Sequence, residues 1–244
     1  MCGQLGRAWG NAAFGEVSPS LVVCRAAELH DDGWRDWERQ PTLDRRVGLP
    51  HTFDTAPFGL HLAIHSAWAH SLAATDPYVG LLVSLHHASF FTRPGRVGLL
   101  RDGGRQIAAF LDDLEALQRE LKWSLGVADD EIDRNRRLVR TWDGLSHDLL
   151  LGLAPRVRKA VPSLTGPVDI SVERVGAVHT VRPWPFSVAE VSVSAVGGEL
   201  HGRFDDQEAM REALARAPEV ELSYTLRAAV GDDSAASISE RRPA

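Results

Sequence analysis

The spacing of apolar residues changes once along the chain, between Pro155 and Pro162, and this change limits the fold more than any other feature. Before it, apolar residues recur three and four positions apart, as in Phe110, Leu114, Leu117 and Leu121, the spacing that gathers side chains on one face of a helix. After it, Val168, Ile170 and Val172 alternate with polar residues, as do Val191 and Val193 and then Val220, Leu222 and Tyr224, the spacing of half-buried strands. The sequence therefore predicts an α+β protein. An all-helical domain is expected over 1–160 and a small C-terminal antiparallel β subdomain with one helix over 161–230. Residues 231–244, mostly Ser, Ala, Asp, Glu and Arg, form an expected disordered tail.

Punctuation places the elements. Ser18-Pro19-Ser20 starts a helix that Asp31, Asp32 and Gly33 stop. Pro41, Gly48, Pro50, Pro57 and Gly59 make 38–59 an irregular loop. Thr75-Asp76-Pro77 caps a joint between a helix over 60–73 and one over 78–91, and further helices are expected over 107–123 and 129–153. Gly197-Gly198 reads as a two-residue hairpin turn between strands 191–196 and 199–204, with a capped helix over 205–217. Residues 1–9 read as the back half of a helix with no cap before it, so the natural chain is expected to extend upstream of Met1.

Composition excludes several classes of function. At 44% hydrophobic and 25% charged the chain is ordinary for a folded protein. Its formal net charge of -6 argues against a nucleic-acid or anionic-membrane binder, and no stretch is long and apolar enough for a membrane span. Cys2 and Cys24 are the only cysteines and no signal peptide precedes them, so a cytoplasmic protein with a small-molecule substrate is expected. Nothing in the sequence bears on oligomeric state. Lys122 and Lys159 are the only lysines, a bias toward Arg that suggests a GC-rich bacterial gene.

Ten histidines are the chemical resource of such a chain, since neutral imidazole is a common metal ligand and an acid or base near neutral pH. His30-Asp31 at a helix end, where Gly33 turns the chain away, sets an imidazole beside a short carboxylate, and both can reach one ion; a surface cap is the plainer use of such a pair. Asp143, beside Trp142 and Leu145 on an apolar helix, needs a metal or an Arg to offset its burial. His86 and His87 sit on another apolar helix, and one of the two must face inward. His61 and His65 form an i, i+4 pair on a third. Taken singly, His61, His65, His70 and His87 read first as hydrogen-bonded core or surface residues.

The strings His30-Asp31-Asp32-Gly33-Trp34, Ser84-Leu85-His86, Trp142-Asp143-Gly144-Leu145-Ser146 and Pro183-Trp184-Pro185-Phe186, in this order, resemble an uncharacterised bacterial domain-of-unknown-function family over most of the chain. The helical half is similar in turn to the HD-domain superfamily of metal-dependent phosphohydrolases, whose ligands are an early His, an HD pair and a late Asp on a long helix. The resemblance implies that His30 and Asp31 are the pair and Asp143 the late Asp. Its early His would lie just upstream of Met1, before the stretch Gly3-Gln4-Leu5-Gly6-Arg7, so the metal set is incomplete here.

The resemblance also implies that His86 and His65 serve a second ion. Nitrogen and carboxylate ligands without thiolate suit Zn, Mn, Fe, Co or Ni without choosing among them. Among the loop arginines Arg45, Arg46, Arg93 and Arg96, Arg46 and Arg93 are the candidate phosphate contacts, and Trp34 is a candidate stacking surface for substrate, with Trp37 and Phe53 near it. The Pro183–Phe186 segment reads as structural. The leading expectation is an HD-like metal-dependent hydrolase acting on a small phosphorylated compound. A di-iron oxygenase of the HD type and a noncatalytic ligand-binding or regulatory protein are the alternatives.

Overall fold

Helix by helix, the apolar spacing finds its partner surface. In the computed structural model, which describes residues 1–92 and 100–232, helices α1 (Cys2–Ala8) and α2 (Ser20–Leu29) lead into a 3-10 turn (Asp32–Trp34) and the short α3 (Arg35–Arg39). A two-stranded antiparallel ribbon, β1 (Leu43–Asp44) with β2 (Leu49–Pro50), interrupts the expected loop. Four longer helices follow, α4 (Phe58–Thr75), α5 (Pro77–Ser89), α6 (Leu100–Leu125) and α7 (Asp129–Leu150), then β3 (Arg156–Val161), β4 (Val168–Val175), β5 (Val178–Arg182), β6 (Glu190–Gly198), α8 (Gln207–Ala215) and β7 (Glu219–Ala228). The protein is mixed α+β. Among the described residues no helix is long and apolar enough to cross a membrane. The expected tail, apart from Gly231 and Asp232, lies outside the described residues.

The chain divides into two compact units, each drawn from separate stretches: residues 1–28, 126–195 and 222 onward in the first, 29–125 and 196–221 in the second. The first is built on α7, whose acidic first turn, Asp129, Asp130 and Glu131, suits the positive end of the helix dipole. Its buried stripe of Ile132, Leu138, Val139, Trp142, Leu145 and Leu149 follows the helical spacing. Trp9 lies edge-on to Phe14, Trp142 and Phe186 with centroids 5.4–5.9 Å away. Gly6 permits this closeness, since a Cβ there would stand 3.0 Å from both the Trp142 ring and Cys24 Sγ. Trp184 and Phe186 are fully buried. The segment carrying them is pinned by Asn11 Nδ2 donating to the Trp184 carbonyl at 2.7 Å and Gly10 N to the Pro185 carbonyl at 2.9 Å. The structural reading of that segment agrees with its position.

The sheet of this unit has the order β3-β4-β5-β7-β6. β3 with β4 and β4 with β5 are antiparallel, but β5 and β7 run parallel, Val178 opposite Thr225. This corrects the expected all-antiparallel sheet, and the cause is topological: the long connection through β6 and α8 brings β7 in beside β5, and parallel neighbours need such a crossover. The expected Gly197-Gly198 hairpin is also corrected. Neither glycine has the positive φ that a tight two-residue turn requires. β6 runs on through Gly198, and 199–206 contains no strand.

The second unit packs α4, α5 and α6. The expected joint is present: Asp76 caps α5 by accepting from Val79 N at 3.3 Å, and Pro77 takes the first helical position, where its missing N–H costs nothing. Gly80 lets the two helices cross at close range, for a Cβ there would lie 2.4 Å from Ala73 Cα. On α6 the predicted stripe of Phe110, Leu114, Leu117 and Leu121 is buried. Ser66 Oγ donates to Asp113 at 2.6 Å and His70 Nε2 lies 3.1 Å from the same carboxylate, tying α4 to α6 on the outside.

Candidate metal centre

The centre begins where α2 stops. Leu29 ends the helix, and the indole Nε1 of Trp68 on α4 donates to its carbonyl at 2.7 Å, satisfying one of the acceptors that a helix C-terminus leaves open. Gly33 then passes against the same tryptophan so closely that a Cβ would meet Trp68 Cβ at 2.7 Å. The glycine of the His30–Trp34 string is therefore required by close approach, and the turn holds His30 inward while Asp31 faces outward: His30 is 5% exposed, whereas 56% of the Asp31 side chain remains in solvent. His30 Nε2 stands 3.1 Å from Asp31 Oδ2.

α5 is buried on every side from Tyr78 to Ser84 and again at His86 and His87, so both histidines are internal, each 1% exposed. His86 packs edge-on to His30 at 4.9 Å and to Phe90 at 4.8 Å. His87 stacks on His65 of α4 with centroids 3.9 Å apart, and His61, one turn before His65, tilts over it at 4.3 Å. Trp34 is buried among Trp37, His61 and His65, and its indole Nε1 donates to His65 Nε2 at 3.3 Å. His65 Nδ1 is buried without a hydrogen-bond partner among the described residues.

Burial and mutual repulsion dominate the electrostatics of the group. Burial, reinforced by His87 and His61, holds the His65 imidazole far below the usual histidine range. Burial also pushes His87 down to about 4, with Asp31 opposing. Both rings are therefore neutral near pH 7, with lone pairs to offer. For Asp31 burial works the other way, but His30, His87 and His86 outweigh it and hold the carboxyl well below its ordinary range.

His87 shows the tension most clearly. Its Nδ1 lies 3.2 Å from the His65 carbonyl oxygen and its Nε2 2.9 Å from the His30 carbonyl oxygen. A neutral imidazole carries one N–H, so one of those oxygens faces a ring lone pair. Asp31, His65 and His87 each offer a ligand atom, all within 4.8 Å of one another. Ligands on opposite sides of one ion stand about 4.2 Å apart. One carboxylate and two neutral imidazoles, one ring with an orphaned nitrogen and the other held against two acceptors, fit a divalent ion such as Zn, Mn, Fe, Co or Ni.

Of the residues singled out in the sequence, His30, Asp31, His65 and His86 come together here. Asp143 belongs to the other unit. There it lies on α7 with 13% of its side chain exposed, 3.9 Å from His147 Nε2, and its carbonyl accepts from Ser146 Oγ at 2.8 Å. The rest of its motif has structural work: Trp142 fills the core, Gly144 makes room for the Arg158 guanidinium, and Ser146 Oγ accepts from Cys2 Sγ at 3.3 Å. The fully buried carboxylate of α7 is Asp148, paired with Arg158 through Nε at 2.6 Å and a second short bond.

Arg46 directs Nε and one terminal nitrogen at the buried Asp44, at 3.0 and 2.8 Å, and these bonds hold Asp44 at about 2. Arg93 lies outside the described residues. The residue passed over in the sequence is His87. An adjacent His-His pair on a uniformly apolar helix carries no amphipathic signal to choose between them. The run Leu81-Leu82-Val83 was the available clue, since a helix apolar all round is buried all round and both histidines must then be internal.

Comparison with known proteins yields one relationship. The profile of a family described as protein of unknown function (DUF3891) matches residues 1–201. No curated protein and no solved structure matches the chain.

Proposed function

Since the chain belongs to the DUF3891 family, whose function is unknown, its activity has to be argued from its own residues, and we propose that the second unit carries a divalent-metal centre serving hydrolysis of a small phosphorylated compound, in the manner of HD-like hydrolases. The observation that carries this reading is the convergence of Asp31, His65 and His87 within 4.8 Å, with His30 and His86 packed beside them. Asp31 supplies negative charge, and the two buried rings supply neutral nitrogen donors. His30, close to the Asp31 carboxylate, orients it, as partners behind metal ligands commonly do. Asp31, His65 and His87 would hold the divalent ion, and the chemistry it would supply there is a water of lowered pKa suited to hydrolysis. The solvent-facing side of Asp31 leaves an approach for substrate, which the buried imidazoles do not.

Phosphate release tests the proposal. Protein stripped with chelator is loaded in turn with Zn, Mn, Co, Ni or Fe(II) and offered a panel of phosphomonoesters and nucleotides. The expected outcome is metal-dependent release of phosphate that Asp31→Asn abolishes while the fold is retained. Metal bound at full stoichiometry with no release from any substrate would contradict the hydrolase assignment. Oxygen consumption specific to the iron-loaded protein would favour a di-iron oxygenase instead.

A further inference from the structure

Trp34 stands in hydrogen-bond contact with one of the proposed ligands, and its chemistry restricts what that ligand can do. We infer that the indole of Trp34 occupies the His65 lone pair in the metal-free protein and must release it when a divalent ion binds, so that Trp34 tunes the affinity of the centre; the inference rests on the metal reading above. The indole N–H is a donor only. By donating to His65 Nε2 at 3.3 Å it fixes the His65 proton on Nδ1, the nitrogen with no hydrogen-bond partner among the described residues.

An ion can take His65 by either nitrogen, and both routes break this bond. Ligation through Nε2 uses the lone pair that the indole holds. Ligation through Nδ1 sends the ring proton to Nε2, where it would face the Trp34 N–H donor against donor. Trp34 is 4% exposed and His65 3%, so water cannot take up either group without movement. Trp37 and His61 hold the indole edge-on at 5.5 and 5.0 Å, which makes that movement a rotation within a packed aromatic group. Trp34 is thus a positioning residue: in the metal-free state it selects the His65 tautomer, and the loss of its hydrogen bond is part of the cost of loading.

The substitution Trp34→Phe keeps an aromatic ring and removes the N–H. Zn²⁺ affinity of the chelator-stripped full chain is measured by competition with a chromogenic chelator, and the indole N–H resonances are followed by two-dimensional proton–nitrogen NMR as Zn²⁺ is added. The Trp34 signal is the one missing from the variant. The expected result is Zn²⁺ binding about three- to tenfold tighter in Trp34→Phe, the worth of one buried hydrogen bond, together with a Zn²⁺-dependent shift of the Trp34 signal in the wild-type chain. A wild-type chain that saturates with Zn²⁺ while this signal stays still overturns the inference and leaves the metal centre intact, as does a folded variant that binds no more tightly. Absence of Zn²⁺ binding in the wild-type chain removes the centre and the inference together. Should Trp34→Phe fail to fold, the wild-type titration decides alone, with the signal assigned through its contacts to the His65 ring.

Discussion

The two units differ in how they treat buried polar groups, although the first too has buried atoms with no hydrogen-bond partner among the described residues, at Trp9 Nε1, Trp142 Nε1 and His179 Nδ1. In the first, the fully buried Asp148 is answered by Arg158 in a two-pronged pair, Gln4 bonds both the N–H and the carbonyl of Ser194 in β6, and Trp184 Nε1 donates to the Val188 carbonyl at 2.8 Å. In the second, buried imidazoles are gathered on one another, His65 on His87 and His30 on His86. His65 Nδ1 has no hydrogen-bond partner among the described residues, and His87 is pressed between two acceptors. Where polar groups answer each other they serve stability. Where like groups are packed together at a cost, the arrangement is the one on which the proposed metal centre rests.

The contrast is broken most severely at Arg158. Replacing it with Met leaves Asp148 buried without its partner, and the expected loss is about 3–5 kcal/mol of stability, read as a shifted denaturant midpoint, with no change in Zn²⁺ affinity per folded chain. A variant as stable as the wild type would show that the first unit does not depend on the pair.

Acid should act on the second unit. His87 has its folded pKa lowered from 6.5 to about 4, so as pH falls below about 6.5 the unfolded chain takes up a proton that the folded chain refuses. Stability of the metal-free protein is therefore constant above that range, falls between about pH 6.5 and 4, and loses about 3 kcal/mol from this residue. His65 shifts in the same direction and adds to the loss. Denaturant titrations at a series of pH values measure it, and His87→Gln should flatten the slope. A profile that is flat across this window would mean that the histidines are not held neutral by burial.

Gly33 tests the turn that presents the His-Asp pair. An added methyl group would meet Trp68 Cβ at 2.7 Å, pushing that indole off the Leu29 carbonyl, and Gly33→Ala should cost about 1–3 kcal/mol and weaken Zn²⁺ binding. Gly126 has open space around it but a positive φ, so Gly126→Ala should lower stability through backbone strain alone and leave Zn²⁺ binding unchanged. Equal effects on metal binding would separate the His30–Asp31 turn from the centre.

How much of this could be read in advance follows the same division. The helices of residues 60–150 were legible from their apolar content and length and the strands after Pro155 from their alternation, and Asp76-Pro77 marked its joint through cap chemistry that acts locally. The parallel pairing of β5 with β7 was not legible, because it depends on the path of the connection and not on residue alternation. Within the centre, His30 and Asp31 could be named from residue type and position, whereas His65 and His86 entered only through the resemblance to the HD-domain superfamily. His87 could not be named, because α5 is apolar on all sides and a helix without a polar face gives no orientation. Trp34 was legible as an aromatic beside the pair, but its bond to His65 joins residues 31 positions apart and no local pattern encodes it.

The central claim is that Asp31, His65 and His87 hold one divalent ion, and the most direct measurement is the metal content of the chain and of the double variant His65→Gln/His87→Gln after loading with Zn²⁺ and exhaustive dialysis, with melting temperatures recorded in chelator. The account predicts Zn²⁺ retained by the wild-type chain, none retained by the double variant, and a metal-free melting temperature in the variant no lower than that of the wild type, since two rings buried at a cost have been removed. Zn²⁺ retained in full by a folded double variant would contradict it.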